Sequence, residues 1–250
     1  MSDLTAHETI RATYDPIHDI GSAIYLSPET FARAAEWGWA NPFAFYFAGR
    51  GGVLGDVGCD VVASVFGWFN PEIVSNFYNE GVAVKGATAA GDAMLEATAL
   101  WGRDHLAGVD LGAWVEVAEK LVDGAEGSAL PLFVAWRTQP RADDVPGRAA
   151  QLFQILREWR GAVHVVATTA VGLSPLEAIL TNEGEGQAKF FGWPEPFPDA
   201  SSVKHLHPKA EDMTDELCAK QVDALLSPAE RRTFADGVAA AKAALATSSS

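Results

Sequence analysis

One short pattern recurs five times along this 250-residue chain and limits what it can become. A small polar residue stands immediately before proline at Ser27-Pro28, Asn41-Pro42, Asn70-Pro71, Ser174-Pro175 and Ser227-Pro228. The polar side chain accepts a hydrogen bond from a free amide at a helix N-terminus. Proline suits the first helical position, where its missing donor would have no partner anyway. Two of the five add glutamate three residues on, Ser174…Glu177 and Ser227…Glu230, which completes a capping box. Five such starts predict a mainly α protein: a compact multi-helix domain with a C-terminal helical extension that packs back on it.

The apolar periodicity between these starts predicts helices over about 9–26 (bent near Pro16), 28–37, 42–49, 57–69, 71–78, 87–106, 111–122 and 130–137. A long pair over 148–171, broken near Gly161, and a short helix over 175–182 follow. The stretch 184–209 is rich in Gly, Pro and Ser and reads as irregular; two helices, 214–226 and 228–245, end the chain. The expected organisation is a helical domain over 1–183, an irregular connection over 184–212, C-terminal helices over 213–246 and a disordered tail at 247–250.

The net charge is −15, from 33 acids against 18 bases. A nucleic-acid binder normally shows a basic stripe, and here basic pairs such as Arg231-Arg232 are diluted by nearby acids. Nucleic acid is therefore not an expected partner. The N-terminus is polar, and no apolar run reaches the ~20 residues of a membrane helix. These features predict a cytoplasmic protein that does not engage a membrane. Cys59 and Cys218 form no CxxC motif and read as reduced packing thiols.

Three groups of residues stand out against apolar helices. Tyr14, His18 and Tyr25 are spaced by four and seven, which places them on one helix face beside Ile17, Ile20 and Ile24. Histidine titrates near neutrality and suits proton transfer; a hydrogen-bonded structural histidine fits the same spacing. Tyr46 and Arg50 are four apart at the end of a nearly unbroken apolar run. An arginine there holds an anion or caps helix carbonyls, because it cannot shed its charge. Arg157, Arg160 and His164 follow at i, i+3 and i+7 and lead into an apolar segment. Burying them needs carboxylates or a ligand, and Arg137 is a candidate for the same cluster. More than half of the aromatic residues, and all four tyrosines, fall in the first 80 residues, so that third reads as the wall of a core or pocket.

Other chemistries leave fainter traces. Gly49-Arg-Gly51-Gly52-Val-Leu-Gly55 could be read as a dinucleotide loop, but its spacing is GxGxxxG rather than GxGxxG and no clear second strand follows, so a tight helix–helix connection explains the glycines more simply. His205 and His207 with Glu211 and Asp212, or His18, His105 and His164 converging, would suit a metal in a helical-bundle enzyme. Residues 172–174, Gly-Leu-Ser, do not form a nucleophile elbow.

The segments YDPIHDIGSAIYLSPE, FYFAGRGGVLGDVG, PLFVAWRTQPRADD, LREWRGAVHVVATTAVGLSPLEAI and AEDMTDELCA resemble an uncharacterised actinobacterial family usually labelled helix-turn-helix or winged-helix. The resemblance spans roughly residues 14–235. It implies a link to transcription regulators and, for some members, to specialised-metabolite genes, with no assigned activity. Its motifs fall on His18, Tyr46, Arg50, Arg137, Arg157, Arg160 and His164. The chain departs from the pattern near 185–209, where Pro194, Pro196, Pro198 and Pro208 break the stretch expected to hold a recognition helix and wing.

The leading expectation is a pocket for a polar or anionic metabolite, with Arg50, Arg137, Arg157 and Arg160 holding the anion. In it Tyr14, Tyr25 and Tyr46 orient the ligand, and His18 and His164 transfer protons if the pocket catalyses. The expected partner is that small molecule, with a homodimer left open and the cofactor unknown. The alternatives are a transcription regulator with a degenerate helix-turn-helix and a metal-dependent bundle enzyme.

Overall fold

The computed structural model describes residues 3–248. Among the described residues all regular structure is helical. The helices are α1 (Ala6–Leu26), α2 (Pro28–Glu36), α3 (Pro42–Gly52), α4 (Cys59–Phe66), α5 (Pro71–Lys85), α6 (Ala87–Leu106), α7 (Gly112–Gly124), α8 (Pro131–Arg137), α9 (Val145–Ala170), α10 (Pro175–Asn182), α11 (Glu185–Phe190), α12 (His207–Leu225) and α13 (Pro228–Ser248), with a 3₁₀ turn at Ser201–Leu206.

All five polar–proline pairs start helices. Ser27 accepts from the Thr30 amide, Asn41 from Phe43 and Ala44, and Asn70 from Glu72. Ser174 and Glu177 form the reciprocal box, and Ser227 and Glu230 exchange the same pair of bonds. A further box, Thr5 with Glu8, starts α1 at Ala6, three residues before the expected start.

Helix α9, about 39 Å long at 1.5 Å per residue, is the hub. It packs against α6, α12, α1, α7 and α8, while α3 lies between α5 and α6. The expected break at Gly161 is absent, and α9 runs unbroken from Val145 to Ala170. A glycine keeps its backbone donor and costs only ~1 kcal/mol against alanine, which the burial of the middle turns of α9, residues 149–156, outweighs.

The stretch expected to be irregular is partly ordered. It contains α11 and the 3₁₀ turn, and α12 begins at His207 rather than near 214. Pro208 sits in the first turn of α12, where a missing donor is harmless, so it starts that helix rather than breaking one. Helices α12 and α13 pack on α1 and α7, with α12 also on α9, as a C-terminal extension folded back on the rest. The tail expected at 247–250 overlaps α13, which runs to Ser248; residues 249 and 250 lie outside the described residues.

The glycine run at 49–55 is neither a dinucleotide loop nor a simple connection. Gly49, Gly51 and Gly52 lie inside α3. A Cβ on Gly52 would run into the Ala87 carbonyl oxygen of α6 and come within 2.9 Å of the Gly91 nitrogen. These glycines let two helix backbones approach each other. No single helix among the described residues is long and apolar enough to cross a membrane.

Candidate functional site

Helices α1, α3, α5, α9, α10 and α12 enclose a cavity of about 490 Å³. Its lining is mainly apolar, with polar groups contributed by α1, α3, α9, α10, α11 and α12. Both the size and the mix match small-molecule sites.

At its inner edge lies a charge cluster centred on a residue that the sequence reading passed over. Glu158 is 2% exposed. Its Oε2 accepts from Arg50 Nη2 at 2.8 Å, and its Oε1 accepts from Arg50 Nε at 2.9 Å, Arg157 Nη1 at 3.1 Å and the Tyr25 hydroxyl at 3.1 Å. Burial pushes the Glu158 carboxyl up, but the charges of Arg50 and Arg157 and these hydrogen bonds outweigh it and hold the group below its ordinary range. Arg50 also donates to the Tyr46 hydroxyl at 3.1 Å and lies 4.2 Å from the centre of the Phe66 ring. Despite burial, Glu158 keeps Arg50 firmly protonated.

A second cluster joins α9 to α12. Arg160 Nη2 donates to Glu211 Oε2 at 2.9 Å and Asp215 Oδ1 at 3.1 Å, and its guanidinium stacks 3.3 Å from the Tyr14 ring centre. His164 Nδ1 lies 2.9 Å from the Thr214 hydroxyl, and its Nε2 lies 3.4 Å from Glu211 Oε1. Burial lowers the His164 pKa against the opposing pull of Glu211. His18, half exposed beside Tyr14, is lowered by burial and by the charge of Arg157. Two imidazoles, His18 and His164, line the cavity, and imidazole is a side chain that can accept or release a proton near neutrality.

Seven of the nine residues singled out from sequence therefore line one cavity: Tyr14, His18, Tyr46, Arg50, Arg157, Arg160 and His164. Tyr25 stands behind the wall and supports Glu158 from there. Arg137 does not join the cluster. Its guanidinium donates to the backbone carbonyls of Val122 and Ala125 at the end of α7 and packs over Phe133, so it caps a helix instead. Arg50, read as a cap or an anion clamp, is held by Glu158.

Aromatic rings form another part of the wall and touch both clusters, Phe66 at Arg50 and Trp68 at His164. Phe47 stacks on Phe66 and Phe77 with centroids 5.6 Å apart in each pair, and Phe69 lies 4.5 Å from Phe191 of the segment after α11. Trp68 packs on His164 at 5.4 Å. The aromatic bias of the first 80 residues signalled this wall. A signal for Glu158 was its place as the one acid in α9, flanked by Arg157 and Arg160, which makes it their nearest partner in sequence.

The metal readings find no support in the geometry. Among the described residues no group of three or more His, Cys, Asp or Glu side chains is placed to hold an ion. His105 stacks on Trp101 at 4.6 Å, outside the cavity, and His205 is exposed, bonding the Ser202 carbonyl.

Set against known proteins, the sequence model of the helix-turn-helix family matches residues 8–203, which is well over half of the chain. The chain belongs to the helix-turn-helix family. The family match takes in α1 through the first half of the 3₁₀ turn, and with them every helix that carries a residue of the aromatic wall or of the Glu158 cluster. A winged form of the motif needs strands, and there are none among the described residues. No solved structure and no curated protein matches the chain.

Proposed function

We propose that this member of the helix-turn-helix family is a cytoplasmic protein that binds a small molecule with a polar or anionic group in the cavity between α1, α3 and α9. The observation that carries the reading is the convergence of seven cationic, phenolic and imidazole side chains from three helices on one hollow of drug-like size. Grouping so many polar side chains is costly unless they meet partners, and their internal carboxylates satisfy them only in part. His18 and His164 are the groups through which binding would extend to proton transfer.

The test is thermal stabilisation by a library of carboxylates and phosphorylated metabolites. A ligand at 100 times its Kd raises stability by ~2.7 kcal/mol, a shift that is easily read. Hits whose effect weakens in Arg157→Gln or Arg160→Ala support the reading; a silent library, or hits indifferent to both substitutions, count against it.

A second reading, a transcription regulator, is favoured by the family match over residues 8–203. It predicts retardation of DNA from the gene's own upstream region, weakening steeply with salt. With a net charge of −15, long-range attraction to DNA is poor, and the absence of a shift at low salt and micromolar protein would remove this reading.

A further inference from the structure

The three arginines around the cavity and their three carboxylates, Glu158, Glu211 and Asp215, balance in sum, but the pairing is locally uneven. Arg160 meets two carboxylates, Glu211 and Asp215. Arg50 holds Glu158 through two hydrogen bonds. Arg157 has only a share of that same Glu158: its Nη1 bonds Oε1, which already accepts from Arg50 and Tyr25. The buried Arg157 Nε has no hydrogen-bond partner. Two arginines with one carboxylate leave one positive charge over, on a side chain that lines the cavity and is 19% exposed. A singly charged anion balances it. A doubly charged head would add a net negative charge a few ångströms from Glu158, which is unfavourable at low dielectric.

The other end of the cavity has a different character. Leu26, Phe43 and Phe190 line it and are also among the exposed large apolar side chains of the molecule. They come from the end of α1, the start of α3 and α11. A residue that both lines a hollow and faces solvent marks its mouth, and here the three apolar side chains share the rim with the polar His18, Asn182, Glu183 and Lys189. From Phe43 the wall runs through contacting rings, Phe77, Phe47 and Phe66, to Arg50, with Phe69 packed on Phe47.

We infer that the ligand is an amphipathic monoanion: its single carboxylate lies against Arg157, and its hydrocarbon or aromatic body runs along the phenylalanine wall towards the mouth at Leu26, Phe43 and Phe190. The inference rests on the binding reading above and narrows it to one ligand class. It also gives the apolar mouth a role, since the body of such an acid is shielded there as it enters. A sugar phosphate or other compact polar metabolite would leave the aromatic wall in contact with water.

The test compares three probes by titration calorimetry at pH 7.5, below micellar concentrations: dodecanoate, dodecan-1-ol and butanoate. Dodecanoate is expected to bind at least tenfold more tightly than either of the others. Arg157→Gln should bring dodecanoate down to the affinity of the alcohol while leaving the alcohol unchanged; its melting temperature without ligand serves as the folding control. Equal affinity for acid and alcohol overturns the anionic head, and equal affinity for butanoate and dodecanoate overturns the apolar body. No binding of dodecanoate, alongside hits among compact phosphorylated metabolites, overturns this inference but leaves the binding reading standing. Silence in both experiments overturns the two together.

Discussion

Removing the charge of Glu158 is the most informative perturbation of this fold. Glutamine at 158 has nearly the same shape, so Glu158→Gln changes electrostatics without opening a hole. Its amide can still accept one hydrogen bond, but it leaves Arg50, with a side chain 9% exposed, and Arg157 facing each other with no carboxylate between them. Arginine cannot escape by losing its proton. Breaking a buried pair by deleting one partner costs about 3–5 kcal/mol, and in a chain of this size each kcal/mol lowers the melting temperature by roughly 2–4 °C. Glu158→Gln should therefore melt some ~6–20 °C below the parent and lose stability to match in urea. A control at the surface, Asp19→Asn, removes the partner of Lys242 from a pair that is about half exposed, and should change stability by less than ~1 kcal/mol. Adding Arg50→Met to Glu158→Gln should cost less than the sum of the two single changes, because the second removes the stranded cation. A Glu158→Gln protein within about 1 kcal/mol of the parent, or strict additivity in the double variant, would show that Glu158 is not the keystone of the cluster.

Two further outcomes follow from the same contacts. Gly52→Ala forces a methyl group against the Ala87 carbonyl of α6; overpacking of this kind costs roughly 1–3 kcal/mol and outweighs the ~1 kcal/mol that alanine gains in a helix, so chemical denaturation should show a lower midpoint, and an unchanged or higher one would refute the close approach of α3 and α6. His18 and His164 both have pKa values lowered by burial, so the unfolded chain binds protons at these sites more readily than the folded one, and their contribution is present above about pH 6.5 and is lost as pH falls below it towards the folded values. Melting temperature should thus fall between pH 7.5 and 5.5, less so in His164→Gln, and a parent and variant with identical slopes would contradict the lowered pKa of His164.

Much of the fold was legible because helix starts are local. A capping serine or asparagine, the proline after it and the glutamate three residues on act within one turn, so Ser174, Pro175 and Glu177 declare α10 without help from the rest of the chain. The reading faltered where tertiary packing overrides local preference: at Gly161, carried through by the burial of α9, and at Pro208, whose meaning depends on which side of a helix boundary it falls. The site was legible as residue types on helix faces, which placed Tyr14, His18, Arg50, Arg157, Arg160 and His164 on the hollow. Their partners were not legible. Glu158 lies 108 residues from Arg50 and 133 from Tyr25, and no spacing rule reaches across such distances. Arg137 was misassigned for the same reason, since the carbonyls it caps belong to a helix that only the tertiary fold brings near.

Gly161 offers the most direct test of whether ligands occupy the cavity. It lines the hollow, and a Cβ built on it meets nothing within 4 Å. Gly161→Phe should fill part of the space with a ring while leaving α9 as stable as before or more so. The decisive measurement is the affinity of the best ligand found for the parent protein, repeated on this variant alongside its unliganded melting temperature. The account predicts at least a tenfold loss of affinity with the melting temperature held or raised; undiminished affinity in a well-folded Gly161→Phe protein would place the ligand elsewhere and contradict it.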